Sequence, residues 1–226
     1  MKVNEIFTSI QGEGTRAGLV CTFVRFTGCN LRCTYCDTEY AFYEGKSLNI
    51  PQILERVSFF GAPLVCVTGG EPMLQREIVP LLEQLLGAGY TVLLETGGQQ
   101  NLQRVPVQVV KIVDIKTPGA ISENPDGNFA NSDAFRGVHF NYCNLDTLRQ
   151  DDEIKIVVTG RFDYEWAKGF INQHRVLERV GTVLLSPCHG RLDPALLSSW
   201  ILEDRLPVRL NLQLHKYIWG VDARGV

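Results

Sequence analysis

The stretch that decides the fold reads Gly28-Cys29-Asn30-Leu31-Arg32-Cys33-Thr34-Tyr35-Cys36-Asp37-Thr38. It places three cysteines within eight residues at the spacing C-x3-C-x2-C, soon after an apolar run over residues 19–26. That run is rich in β-branched and aromatic residues, so it predicts a buried strand. Thiolates gathered on a loop at a strand end can converge on one metal or cluster. Three ligands leave one coordination position open for another molecule.

The composition of the whole chain narrows the class of protein. Its 226 residues, 45% of them hydrophobic, are enough to bury the core of one domain spanning residues 1–226. A formal net charge of −3 gives no basic field for nucleic acid, and no apolar run reaches the roughly 18 residues of a membrane span. The start of the chain lacks a signal-peptide core and the seven cysteines are odd in number, so we expect a cytoplasmic protein with metal-binding thiols.

Strand patterns alternate with helical patterns along the rest of the chain. Besides residues 19–26, we predict strands over 64–68, 90–94, 109–115, 154–158, 182–185 and 208–214, seven in all. Helices are predicted after Asn49, over 78–86, over 163–177 and over 194–202. This alternation is typical of a parallel sheet, and a complete eight-fold barrel usually needs about 250 residues. We therefore predict a single-domain α/β fold, an incomplete, open (β/α) barrel with mainly parallel strands.

The chemically suggestive segments follow the predicted strand ends. Because the site of such a sheet lies at the carboxyl ends of its strands, we expect these segments to share one mouth. They are the cysteine loop, Gly69-Gly70-Glu71, Glu95, residues 114–116, residues 186–189 and His215. Only Gln11-Gly12-Glu13-Gly14 lies away from a predicted strand end, in a segment over 5–18 that we interpret as containing a turn. Residues 120–134 are polar and rich in glycine and asparagine, which predicts a long surface loop.

Arg25 is the one charged residue of the run over 19–26. A guanidinium inside a buried strand needs a partner, which leaves two interpretations. It forms a structural ion pair with an acidic residue, or it grips the carboxylate of a ligand with two hydrogen bonds.

The cysteine trio by itself also allows a zinc site. Cys188 or His189 could supply a fourth ligand from the same mouth, although structural zinc ligands usually occur in pairs. For Cys21, Cys66 and Cys143 we expect the ordinary role of buried hydrophobic residues.

Two motifs together resemble the radical S-adenosylmethionine superfamily. They are the C-x3-C-x2-C loop with Tyr35 before its third cysteine, and Gly69-Gly70-Glu71-Pro72. The resemblance implies that Cys29, Cys33 and Cys36 hold a [4Fe-4S] cluster whose open iron is chelated by the methionyl end of S-adenosylmethionine. Electron transfer from the cluster then yields a 5′-deoxyadenosyl radical.

Further segments resemble the 7-carboxy-7-deazaguanine synthase family within that superfamily: Ile10-Gln11-Gly12-Glu13-Gly14, Val24-Arg25-Phe26, Cys36-Asp37-Thr38, Thr68 and Leu214-His215-Lys216-Tyr217. The resemblance implies conversion of 6-carboxy-5,6,7,8-tetrahydropterin to 7-carboxy-7-deazaguanine with loss of ammonia, on the route to queuosine and other deazapurines. Hydrogen abstraction at C6, ring contraction and regeneration of S-adenosylmethionine are the implied steps. A homodimer, an external flavodoxin-like electron donor and a magnesium ion are implied as well.

The same resemblance implies a role for each matching position. The substrate-binding residues would be Ile10, Gln11, Gly12, Glu13, Arg25, Thr68, His215 and Lys216. The residues lining S-adenosylmethionine would be Tyr35, Cys36, Asp37, Gly70, Glu95, Asp114, Ile115, Lys116, Ser186, Pro187, Cys188 and His189. Thr38 would be a magnesium ligand, a role that the preference of magnesium for hard oxygen donors allows.

Two other function classes share some of these features. An activase of a glycyl-radical enzyme has the cysteine spacing and a small size but acts on a protein. A non-enzymatic iron–sulfur or zinc binding module would need the cysteines alone. Neither class requires Gln11-Gly12-Glu13-Gly14, Arg25 and the pair His215-Lys216 together.

Overall fold

The computed structural model describes residues 1–124, 128 and 140–226. Its strands are β1 (Lys2–Ile10), β2 (Val20–Phe26), β3 (Lys46–Ser47), β4 (Leu64–Gly69), β5 (Thr91–Thr96), β6 (Val110–Ile115), β7 (Glu153–Val158), β8 (Thr182–Pro187) and β9 (Arg209–Leu210). Its helices are α1 (Ile50–Phe60), α2 (Ile78–Gly87), α3 (Pro118–Ile121), α4 (Arg161–Gln173), α5 (Val176–Arg179), α6 (Pro194–Asp204) and α7 (Leu214–Trp219). Single 3-10 turns lie between several of them.

All of these strands belong to one sheet, in the order β3-β1-β2-β4-β5-β6-β7-β8-β9. Every neighbouring pair from β2 to β9 is parallel, whereas β1 pairs antiparallel with both β2 and β3. The edge strands β3 and β9 do not pair with each other within the described residues, so the barrel stays open. The predicted α/β fold with an open, mainly parallel barrel is confirmed.

The strand count differs from the predicted seven because two antiparallel strands lie at one edge. The sequence predicts a turn within residues 5–18, but the first part of that segment belongs to β1. Its polar residues suppress the strand signal, and pairing with β2 stabilises it nonetheless. The predicted strand over 208–214 shrinks to β9, because the Leu214 amide donates to the Gly12 carbonyl and begins α7 instead.

The helix starts follow their predicted caps. Asn49 accepts a hydrogen bond from the Gln52 amide at 3.0 Å, and the Gln52 side chain accepts one from the Asn49 amide, forming a capping box before α1. Asp193 caps α6 by accepting from the Ala195 amide, with Pro194 in the first turn. The helix predicted over 163–177 is divided into α4 and α5, because Arg175 adopts a left-handed conformation with φ of 50°.

The core has an outer and an inner part. Alternate residues of β4 belong to each, since successive side chains of a strand point to opposite faces. Val65 and Val67 pack toward the helices, whereas Leu64 and Cys66 face inward. The inner cluster consists of Cys21, Leu64, Cys66, Leu93, Val110 and Ile112, with Phe23 packed against it. Cys21 and Cys66 are buried as expected, but Cys143 is exposed because it lies on a surface 3-10 turn.

Two further expectations concern membrane-spanning helices and the loop predicted over residues 120–134. Among the described residues, the structure has no helix long and apolar enough to span a membrane. Of the long loop predicted over 120–134, Ala120 and Ile121 lie in α3, while 125–127 and 129–134 fall outside the described residues.

Candidate active site

A cavity of about 640 Å³ opens at the carboxyl ends of the parallel strands. All of the predicted site residues line it except Ile115, Ser186 and Pro187. Those three are buried in β6 and β8, where the Ser186 hydroxyl accepts a 2.8 Å hydrogen bond from Asn211. Phe23 and Ile112 of the inner core form part of the apolar floor. The structure therefore brings segments from both ends of the chain to one site.

Neighbouring loops hold the cysteine loop in place. The Thr34 amide donates to the Ala120 carbonyl at 2.8 Å, and the Thr34 hydroxyl donates to the Gly119 carbonyl at 2.7 Å. Arg191, which follows β8, donates to the Thr34 hydroxyl at 3.1 Å. The loop is thus tied to the ends of β6 and β8, and Cys29, Cys33 and Cys36 face the cavity as free, half-buried thiols.

The chemistry of these donors, three soft thiols on one loop, fits an iron–sulfur cluster. In the described part of the chain, no three His, Cys, Asp or Glu side chains converge closely enough to hold one metal ion. A cubane would take one thiolate from each of these cysteines, one on each of three irons. Burial raises the pKa of Cys33 to about 11, and a bound metal centre would oppose this shift by stabilising the thiolate.

The second loop of the predicted motif packs directly on the first. Gly69 has a φ of 138°, and a Cβ on Gly70 would collide with the carbonyl oxygen of Gly28. The Gly70 amide donates to the Phe26 carbonyl at 3.1 Å, and the Glu71 amide donates to that of Gly28 at 2.8 Å. The two glycines are therefore required by the close approach of this backbone to the start of the cysteine loop.

Glu71 holds this loop against the next strand end. Its buried carboxylate accepts hydrogen bonds from the Met73 amide at 2.9 Å, the Thr96 hydroxyl at 2.8 Å and the Gly97 amide at 2.8 Å. Burial raises the pKa of Glu71, although these hydrogen bonds oppose the shift. With its acceptors used in this way, Glu71 positions backbone around the cavity.

Arg25 forms the ion pair of the first sequence interpretation and also reaches the cavity. Its Nε donates to Glu5 Oε1 at 2.8 Å, which is a structural ion pair, and its side chain also lines the cavity. Among the described residues, the guanidinium makes no other hydrogen bond, so its terminal nitrogens remain available to a ligand. Burial would lower the pKa of Arg25, but Tyr40 and Glu5 raise it, and the group stays charged.

The Gln11-Gly12-Glu13 segment docks against α7. A Cβ on Gly12 would collide with the imidazole of His215, so only glycine fits there. The Gln11 Nε2 atom is buried and has no hydrogen-bond partner in the described residues. Such an orphaned donor beside a cavity indicates a place for a ligand acceptor.

Glu13 is surrounded by hydrogen-bond donors that the sequence patterns do not predict. Its carboxylate accepts from Lys155 Nζ at 2.9 Å, Gln213 Nε2 at 2.9 Å and Asn211 Nδ2 at 3.5 Å. Burial would raise the pKa of Glu13, but Lys155 and Gln213 lower it to about 2. Like Arg25, Lys155 is a cation within an apolar strand, and that signal could have pointed to it.

Two further ion pairs line the cavity. Lys116 Nζ lies 2.9 Å from Asp114 Oδ2 and 5.7 Å from the centre of the Tyr35 ring. Lys216 Nζ lies 2.9 Å from Asp37 Oδ2. Burial would raise the pKa of Asp37, but Lys216 lowers it below its ordinary value.

Residues 220–223, 225 and 226 form another part of the cavity lining that the sequence patterns leave unassigned. The Arg224 guanidinium lies 4.0 Å from the centre of the Tyr40 ring, in cation–π geometry. Tyr40 in turn donates to Glu5 Oε1 at 2.9 Å, so the segment rests on the same group that orients Arg25.

Comparison with known proteins agrees with this geometry. The family model described as the Radical SAM superfamily matches residues 23–108, which include both the cysteine loop and Gly69-Gly70-Glu71-Pro72. A 7-carboxy-7-deazaguanine synthase from Koribacter versatilis (strain Ellin345) is 43% identical, with 100% of each chain covered. One from Chlorobaculum tepidum is 45% identical, with 100% of this chain and 97% of the relative covered. The chain belongs to the 7-carboxy-7-deazaguanine synthase family.

A solved structure supports the fold of this family member. The crystal structure of QueE from Escherichia coli superposes with a TM-score of 0.67 at 22% identity, covering 94% of this chain and 93% of that one. This 7-carboxy-7-deazaguanine synthase homologue is therefore a radical S-adenosylmethionine enzyme. Its cofactors are a [4Fe-4S] cluster and S-adenosylmethionine.

Proposed function

We propose that the protein converts 6-carboxy-5,6,7,8-tetrahydropterin to 7-carboxy-7-deazaguanine with loss of ammonia, in queuosine and deazapurine biosynthesis. The observation that carries the proposal is the shared cavity. Cys29, Cys33 and Cys36 line it together with the Gln11-Gly12-Glu13 segment and Arg25. A radical generated at the cysteine loop would therefore form within reach of a ligand held by those polar groups.

The three cysteines would hold the cluster, and the surrounding strand ends would hold S-adenosylmethionine. The loop at Gly70 packs against Gly28 and leaves its backbone beside the cysteines. The residues that would complete this half also line the cavity: Tyr35, Asp37, Glu95, Asp114, Lys116, Cys188 and His189. When bound, the cluster and S-adenosylmethionine together supply a 5′-deoxyadenosyl radical.

The other half of the cavity has the polar groups that a carboxypterin needs. The terminal nitrogens of Arg25 can grip the substrate carboxylate with two parallel hydrogen bonds, because Glu5 engages Nε alone. The Gln11 Nε2 atom supplies an unused donor, and Thr68, hydrogen-bonded to Glu95 at 2.9 Å, lies on the same wall. Ile10, His215 and Lys216, which also line the cavity, would close the substrate end. Burial lowers the pKa of His215 and favours the neutral imidazole.

A magnesium ion would fit beside the cysteine loop. Thr38 lines the cavity, and its hydroxyl is a hard oxygen donor next to soft thiols, with Oγ1 3.8 Å from Cys36 Sγ. Together with the substrate carboxylate, this hydroxyl would let the ion orient the substrate, which is a templating role.

The remaining features concern organisation. We propose that residues 1–226 form a single radical S-adenosylmethionine domain, since the described residues share one sheet and both ends of the chain line the cavity. The chain would act in the cytoplasm as a homodimer, with an external flavodoxin-like electron donor. The free thiols support a reducing compartment.

The deciding experiment is a turnover assay. The reconstituted, reduced protein is incubated anaerobically with S-adenosylmethionine, magnesium and the carboxypterin, and the deazapurine is sought by mass. A Cys33→Ser variant is the matched control and should give none. Adenosyl radical chemistry without the deazapurine would favour another substrate, such as the protein target of an activase. Stoichiometric zinc instead of about four irons per chain would reject the radical mechanism.

A further inference from the structure

Lys155 lies between the two halves of the cavity. Its Nζ is 2.9 Å from Glu13 Oε2, in the proposed substrate half, and 3.4 Å from Asp114 Oδ2, in the proposed cofactor half. Lys116 Nζ lies 2.9 Å from the same Asp114 oxygen. The four side chains therefore form an alternating row of carboxylates and ammonium groups across the cavity wall.

This row is balanced in charge, which explains why it tolerates burial. Burial by itself would lower the pKa of Lys155, but Glu13 and Asp114 raise it well above its ordinary value. Breaking a buried ion pair by removing one partner leaves an uncompensated charge. Without Lys155, the Glu13 carboxylate would keep the amide donors of Gln213 and Asn211 as its only partners among the described residues.

Each carboxylate of the row has acceptor capacity left over. A carboxylate offers about four acceptor sites. Lys155 and Asn211 engage Glu13 Oε2, and Gln213 engages Oε1, which leaves Oε1 with room for another donor. Asp114 Oδ1 is buried and has no hydrogen-bond partner within the described residues. Both carboxylates also line the cavity.

We propose that Lys155 is a positioning residue that orients both acceptors, and this inference rests on the proposed function. Held by Lys155, Glu13 would accept from the N–H groups of the pterin ring. Asp114, held by the same ammonium, would accept from a donor of S-adenosylmethionine. One side chain outside the sequence motifs would thereby set the affinity for both ligands.

The test measures binding by the reconstituted protein under anaerobic conditions. Lys155→Met should weaken the Kd for the carboxypterin and for S-adenosylmethionine by about tenfold or more each, because a misplaced charged acceptor loses its hydrogen bond. The iron content should stay that of the wild-type protein. Lys155→Arg, which keeps the charge, should recover most of both affinities. Lys155→Gln replaces the methionine variant if that protein does not fold.

Lys111→Met is the matched control. Lys111 lies on the neighbouring strand β6 and forms a buried ion pair with Asp152 at 2.8 Å. It does not line the cavity. The Lys111→Met protein should be less stable than the wild type but should bind both ligands with wild-type affinity. The inference is overturned if Lys155→Met binds both ligands like the wild type, or if Lys111→Met weakens binding equally. If the wild type binds S-adenosylmethionine but no carboxypterin, the proposed function fails, and the S-adenosylmethionine affinity still decides the role of Lys155.

Discussion

The Nε atom of Arg25 donates a 2.8 Å hydrogen bond to Glu5, the residue opposite it in the antiparallel pair of β1 and β2. Tyr40 donates to the same carboxylate oxygen at 2.9 Å. Glu5 therefore fixes the orientation of the guanidinium through Nε, and the terminal nitrogens remain available to a ligand in the cavity.

Arg25→Ala should abolish turnover of the carboxypterin and leave the cluster intact. Two charge-assisted hydrogen bonds to a carboxylate are worth about 3 kcal/mol or more, which corresponds to at least about a hundredfold in kcat/KM. Product formation and iron content are measured on the same sample. Arg161→Ala, which removes an exposed ion pair with Glu165 on α4, is the control and should turn over normally. Normal turnover by Arg25→Ala would mean that the carboxylate is bound elsewhere.

Gly12→Ala should weaken substrate binding. The new methyl group would collide with the His215 imidazole and backbone, which pushes α7 away from the Gln11-Gly12-Glu13 segment. The Kd for the carboxypterin is measured by calorimetry. Gly169→Ala inside α4 is the control, because a Cβ there meets open space; it should bind normally and gain up to about 1 kcal/mol of stability. An unchanged Kd for Gly12→Ala would show that this contact is dispensable.

Glu71→Gln should destabilise the protein and weaken its affinity for S-adenosylmethionine. An amide has only one acceptor oxygen, so at least one of the donors at Met73, Thr96 and Gly97 loses its partner. The cost is about 1–3 kcal/mol for a buried group left unsatisfied. Urea unfolding and the Kd for S-adenosylmethionine are the measurements, with the exposed Glu83→Gln on α2 as control. Wild-type values in both would show that the loop does not depend on this carboxylate.

The free energy of unfolding should fall in acid because Glu13 becomes protonated. Its pKa is about 2 in the folded protein, below its ordinary value of 4.5, so the folded state favours the ionised form. The resulting stabilisation is fully present above pH 4.5 and is lost as the pH falls toward 2. The upper limit of this contribution to the free energy of unfolding is about 3 kcal/mol. Urea unfolding of the wild type and of Glu13→Gln from pH 7 to pH 3 measures it, and equal slopes in the two proteins would contradict the assignment.

The parts of the site predicted from sequence are those in which chemistry is encoded by close spacing. Cys29, Cys33 and Cys36 lie on one loop, so their spacing along the chain is enough to indicate a common role. The glycines at 69 and 70 follow an apolar strand, which places them at the mouth of a parallel sheet. Tertiary packing then supplies the physical reason for Gly70, whose backbone lies against Gly28.

Other residues are not predicted because their signals are weak or shared. Glu5 lies in β1, an edge strand with too many polar residues to be recognised from propensity. Leu214 begins a helix where strand propensity favours a continuing strand, because its amide binds the Gly12 carbonyl across the fold. Cys143 resembles a buried cysteine in sequence but lies on an exposed turn.

Local sequence patterns are enough to predict the alternation of strands and helices, the open parallel barrel and the cysteine loop at its mouth, because each of these follows from stretches a few residues long. The tertiary structure alone shows that Glu13 meets Lys155, 142 residues away, and Gln213, 200 residues away. Such contacts depend on strand order and on how the sheet curves to bring its distant strands together, which no local pattern encodes. The cysteine loop can thus be predicted from spacing, whereas the balanced row of charges that crosses the cavity cannot.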